Sequence, residues 1–287
     1  MLPILNERRC FGPLTSFFVS GQVTLVTLAI LAPLAVDHNA AHSQCEAMRY
    51  PRAFFAFAAV LGIVALALVV SSCGESPTPR VADPSVVQLP LAAGAVTNHF
   101  DTDVIDQAPI GFTVHTVGPG RPAQWLVKAA SDAPSAGNVL MQCDNDDTNN
   151  RFPCVLSTAG RFANVRVEVK AKGISGNRDR SFGVIARAID EKNYYVARCN
   201  TVNENIRLYR LIDGKRSELA EWEGSAAPGV WHSIALEVVG DQLTVFFNGK
   251  KVIEHHDGTF AHPGRVGLWT KAEAISQFDD FSATPLP

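Results

Sequence analysis

Three consecutive strand-like segments with alternating side chains constrain the fold of this chain most. They occupy residues 181–216, and apolar side chains recur at every second position. Alternate residues of a β-strand point to opposite faces of the sheet, so these segments predict one core face and one outer face. The predicted core face carries Phe182, Val184, Ala186, Ala188, Tyr195, Ala197, Cys199, Ile206 and Leu208.

Arginine and tyrosine dominate the predicted outer face of these strands. Guanidinium groups bind hydroxyls and carboxylates, and aromatic rings stack on the apolar side of a sugar. Two interpretations remain open: a saccharide-binding platform, or a solvated face of a sheet without a ligand. A later strand adds two residues to the same row, and the candidate saccharide-binding residues are Arg187, Tyr194, Arg198, Asn200, Arg207, Tyr209, Trp269 and Lys271.

Short strand-like runs separated by turn signals continue through residues 96–287. Asp213-Gly214 and Asn248-Gly249 each fall between two such runs and are typical of tight hairpin turns. No run after residue 95 has a sustained helical period. About a dozen short strands without helices predict an all-β, two-sheet sandwich of the jelly-roll kind.

A targeting signal precedes this domain. Basic residues at 49 and 52 lead into an uncharged apolar run at residues 53–70, which ends in Val-Ser-Ser-Cys at Cys73. These are the parts of a secretory signal, and the final four residues resemble a bacterial lipobox. We therefore predict a lipoprotein signal peptide at residues 48–73, with Cys73 lipidated. A plain transmembrane anchor is the alternative.

The segments on either side of the signal have different roles. Residues 1–47 contain a second apolar run and are either an extra hydrophobic segment or an overrun upstream of the true start. The overrun is favoured, because a lipoprotein signal acts only at the N-terminus. Residues 74–95 are rich in turn residues and are predicted to be a flexible linker. The chain is expected to be exported and anchored to a membrane of the bacterial cell envelope.

The charge and the cysteines limit the partners of the domain. A formal net charge of -3 gives no strong field for nucleic acid. Cys143 and Cys154 flank a polar loop and are predicted to form a disulfide after export. Cys199 lies on the predicted core face and is expected to be a buried free thiol.

The loop between the two flanking cysteines is acidic. Asp144, Asp146 and Asp147 offer oxygen ligands that could hold calcium. As an EF-hand the loop fails, since Asn149 stands where glycine is needed and Val155 where the bidentate glutamate should be. A polar surface loop is the preferred interpretation, and no metal or other cofactor is predicted.

Several short motifs give the domain a family resemblance. They are Asn193-Tyr194-Tyr195, Leu208-Tyr209-Arg210, Trp231-His232, Asn248-Gly249-Lys250, Gly267-Leu268-Trp269-Thr270 and Phe278-Asp279-Asp280. With these motifs, residues 100–286 resemble the bacterial 3-keto-disaccharide hydrolase domain of the concanavalin A-like lectin/glucanase superfamily. The resemblance implies a concanavalin A-like jelly-roll sandwich and a saccharide partner.

The catalytic signature of the superfamily's retaining glucanases is missing. Those enzymes place two glutamates on one strand in a Glu-x-Asp-x-x-Glu arrangement, about 5 Å apart. Glu218, Glu221 and Glu223 lack the intervening aspartate and are predicted to lie on a solvated strand. In Asp279-Asp280 one carboxylate must point inward, where it needs a partner.

The sequence therefore predicts a lipid-anchored β-sandwich that binds carbohydrate. Two alternatives remain: a glycoside or 3-keto-disaccharide hydrolase with unidentified catalytic residues, and a structural protein of the cell envelope.

Overall fold

The structure, a computed structural model, describes residues 89–135 and 137–287. Cys73, the predicted signal peptide and residues 1–47 lie outside these residues. The described part contains only β-strands and connections, and it has no helix long and apolar enough to cross a membrane. The strands are β1 (Val96–Asn98), β2 (Phe112–Val117), β3 (Trp125–Ala129), β4 (Asn138–Gln142), β5 (Phe152–Ser157), β6 (Val165–Ser175), β7 (Ser181–Asp190), β8 (Asn193–Asn200), β9 (Asn205–Ile212), β10 (Lys215–Glu223), β11 (His232–Val239), β12 (Gln242–Phe247), β13 (Lys250–His256), β14 (Arg265–Trp269) and β15 (Ile275–Pro285).

Two antiparallel sheets form the sandwich. One has the order β13-β12-β11-β6-β15-β4-β3, with β1 added on β15. The other has the order β10-β9-β8-β7-β14-β5-β2. The predicted all-β jelly-roll sandwich is confirmed.

Tight glycine turns join neighbouring strands where the sequence predicts them. Asp213 and Gly214 have φ of 50° and 74°, and Asn248 and Gly249 have φ of 49° and 77°. Positive φ at both central residues is the geometry of a type I′ turn, whose twist matches that of the strands. Both predicted hairpins are confirmed.

Alternating side chains from both sheets fill the space between them. The hydrophobic core includes nearly every residue of the predicted core face, together with Trp125, Phe278 and Phe281. The Trp125 and Phe278 rings lie 5.3 Å apart between their centroids. Cys199 is a buried free thiol, as predicted. The sandwich thus has one continuous core between its sheets.

A β-bulge in β7 overturns the alternation at one point. The β7–β8 register shifts between Ala186 and Asp190, and Arg187 has a φ of 54°. The Arg187 guanidinium consequently donates to the carbonyl oxygens of Phe260 and His262 at 3.0 and 3.4 Å. Ala188 moves instead to the opposite face of the sheet. The predicted positions of these two residues are wrong, because an inserted residue inverts the alternation.

The seven-stranded sheet curls until its two edges meet. Val117 belongs to the edge strand β2, yet a Cβ placed on Gly214 in the β9–β10 hairpin would lie 3.0 Å from it. Arg216 of the other edge strand, β10, lies 5.3 Å from the ring of Phe152 in β5. The sheet face that points away from the core is therefore concave and enclosed, and we call it the concave face.

The predicted disulfide is wrong. Cys143 follows β4 in the eight-stranded sheet and is half-buried, whereas Cys154 lies in β5 of the other sheet. Both are free thiols. The Cys154 side chain belongs to the apolar cluster on the concave face, so the two thiols lie in different layers.

The folded part begins before the predicted domain boundary. The Ala92 amide donates to the Arg161 carbonyl at 2.9 Å, and the Arg161 amide donates to the Pro90 carbonyl at 2.9 Å. The last residues of the predicted linker are therefore part of the domain.

Candidate functional site

The concave face holds seven of the eight predicted saccharide-binding residues, and Arg187 is the exception. Sequence reasoning expected a solvated row, but the side chains of Tyr194, Arg198, Tyr209 and Trp269 are 0–4% exposed. Curling of the sheet explains the difference, because the two edges close over the middle strands. The concave face is a second packed layer with a charged rim, rather than an open wet surface.

Aromatic rings form the floor of this face. Phe152 and Trp269 stack with their centroids 5.5 Å apart. The Trp269 indole Nε1 donates to the Tyr194 hydroxyl at 3.1 Å, which joins β14 to β8 across β7. Burial raises the pKa of Tyr194 well above its usual value, so the hydroxyl stays neutral and keeps a proton to donate.

Arg198 lies on this floor without a carboxylate partner in the described residues. Its Nη1 donates to Asn205 Oδ1 at 2.8 Å, and its Nη2 donates to the Tyr209 hydroxyl at 3.2 Å. Both acceptors are neutral groups. The guanidinium charge is thus oriented by hydrogen bonds but not neutralised by an ion pair.

Arg207 lies at the exposed rim of the concave face, where it pairs with two glutamates of β10. It lies 2.7 Å from Glu221 and 3.2 Å from Glu218, and its side chain is 31% exposed. The hydrogen bond from Arg207 holds the pKa of Glu221 below its usual value. The three glutamates of β10 lie on a solvated strand, as predicted. Two of them, Glu218 and Glu221, pair with Arg207 at the rim.

Asp179, which the sequence analysis missed, joins two predicted residues. Lys271 pairs with Asp179 Oδ2, and the Asn200 amide donates to Asp179 Oδ1 at 3.1 Å. Asp179 lies in the connection before β7, whereas alternation identifies faces only within strands. Glu273 accepts from the Asp179 amide at 3.2 Å and fixes this connection.

Arg216 is the second missed residue, although a sequence signal for it exists. In the β9–β10 hairpin Arg216 pairs with Leu211, which shares the face of Tyr209. Extending the alternation through the predicted Asp213-Gly214 turn would have placed Arg216 on the same face as Tyr209. Its guanidinium carbon lies 4.3 Å from the centroid of the Tyr209 ring.

Arginines bind the acidic loop considered for calcium. Arg151 Nη2 donates to Asp144 Oδ1 at 2.8 Å, and Arg121 lies 3.2 Å from the other oxygen. The Asp146 carboxylate accepts from the Arg121 and Thr148 amides, and Asp147 pairs with Arg178 at 3.3 Å. The three carboxylates considered as calcium ligands thus each interact with an arginine.

A histidine and two aspartates meet at the opposite sheet. Ligand atoms of His99, Asp279 and Asp280 lie within 4.8 Å of one another. Lys170 already pairs with Asp280 at 2.8 Å, and the buried Asp279 accepts from the Ser135 amide at 2.8 Å. The inward carboxylate therefore has its partners in the amide and the hydroxyl of Ser135, and Asp280 forms ion pairs with Lys170 and His99.

Comparisons with known proteins are limited to the fold. No protein-family model matches the chain, and no curated protein matches it. A carbohydrate-binding module from Bacillus subtilis is similar, with 19% identity and a TM-score of 0.49 over 61% of this chain and 95% of its own. A β-glucanase from Bacillus licheniformis has 10% identity and a TM-score of 0.46 over 68% of this chain and 99% of its own. A laminarinase from Rhodothermus marinus has 12% identity and a TM-score of 0.47 over 69% of this chain and 98% of its own. Likenesses of this degree do not identify a function.

Proposed function

We propose that the domain binds carbohydrate at the concave face. The observation that carries the proposal is the combination of a buried aromatic floor with polar groups that converge on it. Tyr194, Tyr209 and Trp269 form the packed floor. Arg198 and Arg216 place their guanidinium groups 5.8 and 4.3 Å from the centroid of the Tyr209 ring. Saccharide sites need this mixture, because a sugar presents apolar ring faces and a periphery of hydroxyls.

The hydroxyl of Tyr209 provides a direct test. It accepts a hydrogen bond from Arg198 at 3.2 Å, and among the described residues no acceptor takes its own proton, which is therefore available to a sugar oxygen. We expect Tyr209→Phe to weaken saccharide binding about tenfold, the size of one lost hydrogen bond in a binding site. The measurement is the dissociation constant of the full chain for hits from a glycan array.

Tyr195→Phe is the matched control for this experiment. The Tyr195 hydroxyl donates to Asp257 at 2.7 Å on the core side of the same sheet. Its loss should lower stability while saccharide affinity stays unchanged. Equal affinity of the Tyr209→Phe variant and the wild type would contradict the proposed site.

Hydrolysis of a glycoside or a 3-keto-disaccharide is the second candidate function. Its candidate carboxylates are Asp179 and Glu273, because the Glu273 carboxylate accepts from the backbone amide of Asp179 at 3.2 Å. A general acid, however, needs a raised pKa. Burial raises the pKa of Glu273, but backbone hydrogen bonds, first that of Arg178, lower it by more. Glu273 is therefore held ionised, and we place binding first. Turnover of ordinary or 3-keto disaccharides by the full chain would reverse this order.

The proposed setting of the domain is the bacterial cell envelope. Cys73 would carry the lipid, and the residues after it would tether the sandwich to the membrane. A lipid anchor would hold a saccharide-binding face close to envelope glycans, so the two proposals support each other.

A further inference from the structure

We propose that Arg216 makes the concave-face site specific for acidic saccharides by binding a carboxylate or sulfate group of the sugar. The inference rests on the proposed carbohydrate-binding function and names its ligand class. Three features of the site support it: unused donors, a fixed position and uncompensated charge.

The donors of Arg216 are unused. Each of the other arginines within residues 89–135 and 137–287 has a hydrogen bond or an ion pair. Arg216 has neither in this part of the chain, and its Nη1 atom is buried. Buried donors are nearly always paired in proteins, so the unpaired Nη1 of Arg216 on a candidate binding face is available to a ligand acceptor.

Two aromatic rings fix the position of Arg216. Its guanidinium carbon lies 4.3 Å from the centroid of Tyr209 and 5.3 Å from that of Phe152. Contacts with rings hold an arginine through cation–π attraction and leave its N–H groups unoccupied. The donors are therefore held in place in advance, which reduces the entropy lost when a ligand binds.

The charges around Tyr209 do not balance. Asp179 forms an ion pair with Lys271, and Glu218 and Glu221 form ion pairs with Arg207. Arg198 and Arg216 both contact the Tyr209 ring, and no described carboxylate pairs with either.

Burial lowers the pKa of Arg216, and the charges of Arg198 and Arg207 lower it further. Arginine nevertheless remains charged at neutral pH. An anionic group beside Tyr209 would neutralise this excess of positive charge and could form a bidentate pair with Arg216.

The test compares acidic oligosaccharides with neutral counterparts of the same stereochemistry. The full chain is titrated with uronic-acid oligosaccharides, with the same molecules after reduction of their carboxyl groups, and with sulfated oligosaccharides. We expect at least one acidic member to bind about tenfold or more tightly than its neutral counterpart, as for a charge-assisted bond. The first and third arms distinguish a carboxylate from a sulfate.

Three variants assign the preference to Arg216. Arg216→Gln should abolish the preference for acid, and Arg216→Lys should keep part of it, because lysine retains the charge without the fork. Arg166→Gln is the matched control. Arg166 also lies over an aromatic ring, Phe246 at 4.6 Å, but its carboxylate partners are on the other sheet. This variant should bind like the wild type, and unfolding curves check that all three variants are folded.

The outcomes separate this inference from the function on which it rests. The inference is supported if Arg216→Gln loses the preference for acidic saccharides while the control Arg166→Gln keeps it. Equal binding of acidic and neutral saccharides, or an acid preference that survives in Arg216→Gln, overturns it and leaves carbohydrate binding intact. Failure of the neutral, uronic-acid and sulfated oligosaccharides alike to bind overturns both.

Discussion

Replacing Trp269 with alanine should lower the free energy of unfolding by about 3–5 kcal/mol, the cost of a large cavity in a packed interior. Trp269 has no solvent exposure, stacks on Phe152 and donates to Tyr194. The sequence alone would assign this residue to an open outer face, where its removal costs little. Chemical denaturation of the variant measures the difference.

Trp125→Ala provides the reference for this value. Trp125 is 1% exposed and packs on Phe278 between the two sheets. If the concave face is a packed layer, the two alanine variants should lose similar stability. A loss below about 1 kcal/mol for Trp269→Ala, beside a large loss for Trp125→Ala, would show that the sheet does not enclose its outer face.

Replacing Arg151 with methionine should cost about 3–5 kcal/mol, because it breaks a buried ion pair and leaves its partners unsatisfied. Arg151 is fully buried and donates to Asp144 and to the carbonyl oxygens of Arg121 and Ala272. The Ala272 amide in turn donates to the Arg151 carbonyl at 2.9 Å. Arg151 thus holds the segment between Lys271 and Glu273, so the variant should also bind saccharide more weakly.

Arg121→Met is the control for this prediction. Arg121 pairs with the same Asp144 carboxylate, but its side chain is 61% exposed. An exposed ion pair contributes at most about 1 kcal/mol, since water and salt screen it. Thermal or chemical unfolding of both variants gives the comparison. Equal and small losses would contradict the role of Arg151 as the buried centre of the loop.

The fold was predictable because alternation and turn chemistry are local properties. Every second residue of β8 and β9 occupies the predicted face, and both Asx-Gly turns have the predicted geometry. These features depend on neighbours in the chain, which the sequence displays directly.

The exposure of the candidate site was not predictable, because it depends on the curvature of a whole sheet. The sequence places Tyr194 and Trp269 on the outer face but does not show that β2 meets the β9–β10 hairpin. The β7 bulge is similar, since one extra residue of β7 opposite β14 moved Arg187 from the row to the carbonyls of Phe260 and His262. Cys143 and Cys154 are separated by the pairing of distant strands, since Cys143 follows β4 of one sheet and Cys154 lies in β5 of the other.

The location of the bound saccharide is the most direct test of the account. The chain has four tryptophans, and each gives its own indole N–H signal in a nitrogen-15 spectrum. Trp269 reports on the concave face, whereas Trp231 lines a groove of about 400 Å³ with Lys170 and Ser233 of the other sheet. On titration with the saccharide that binds, we expect the Trp269 signal to shift and the Trp231 and Trp125 signals to stay in place. A shift of Trp231 with Trp269 unchanged would contradict a binding site on the concave face.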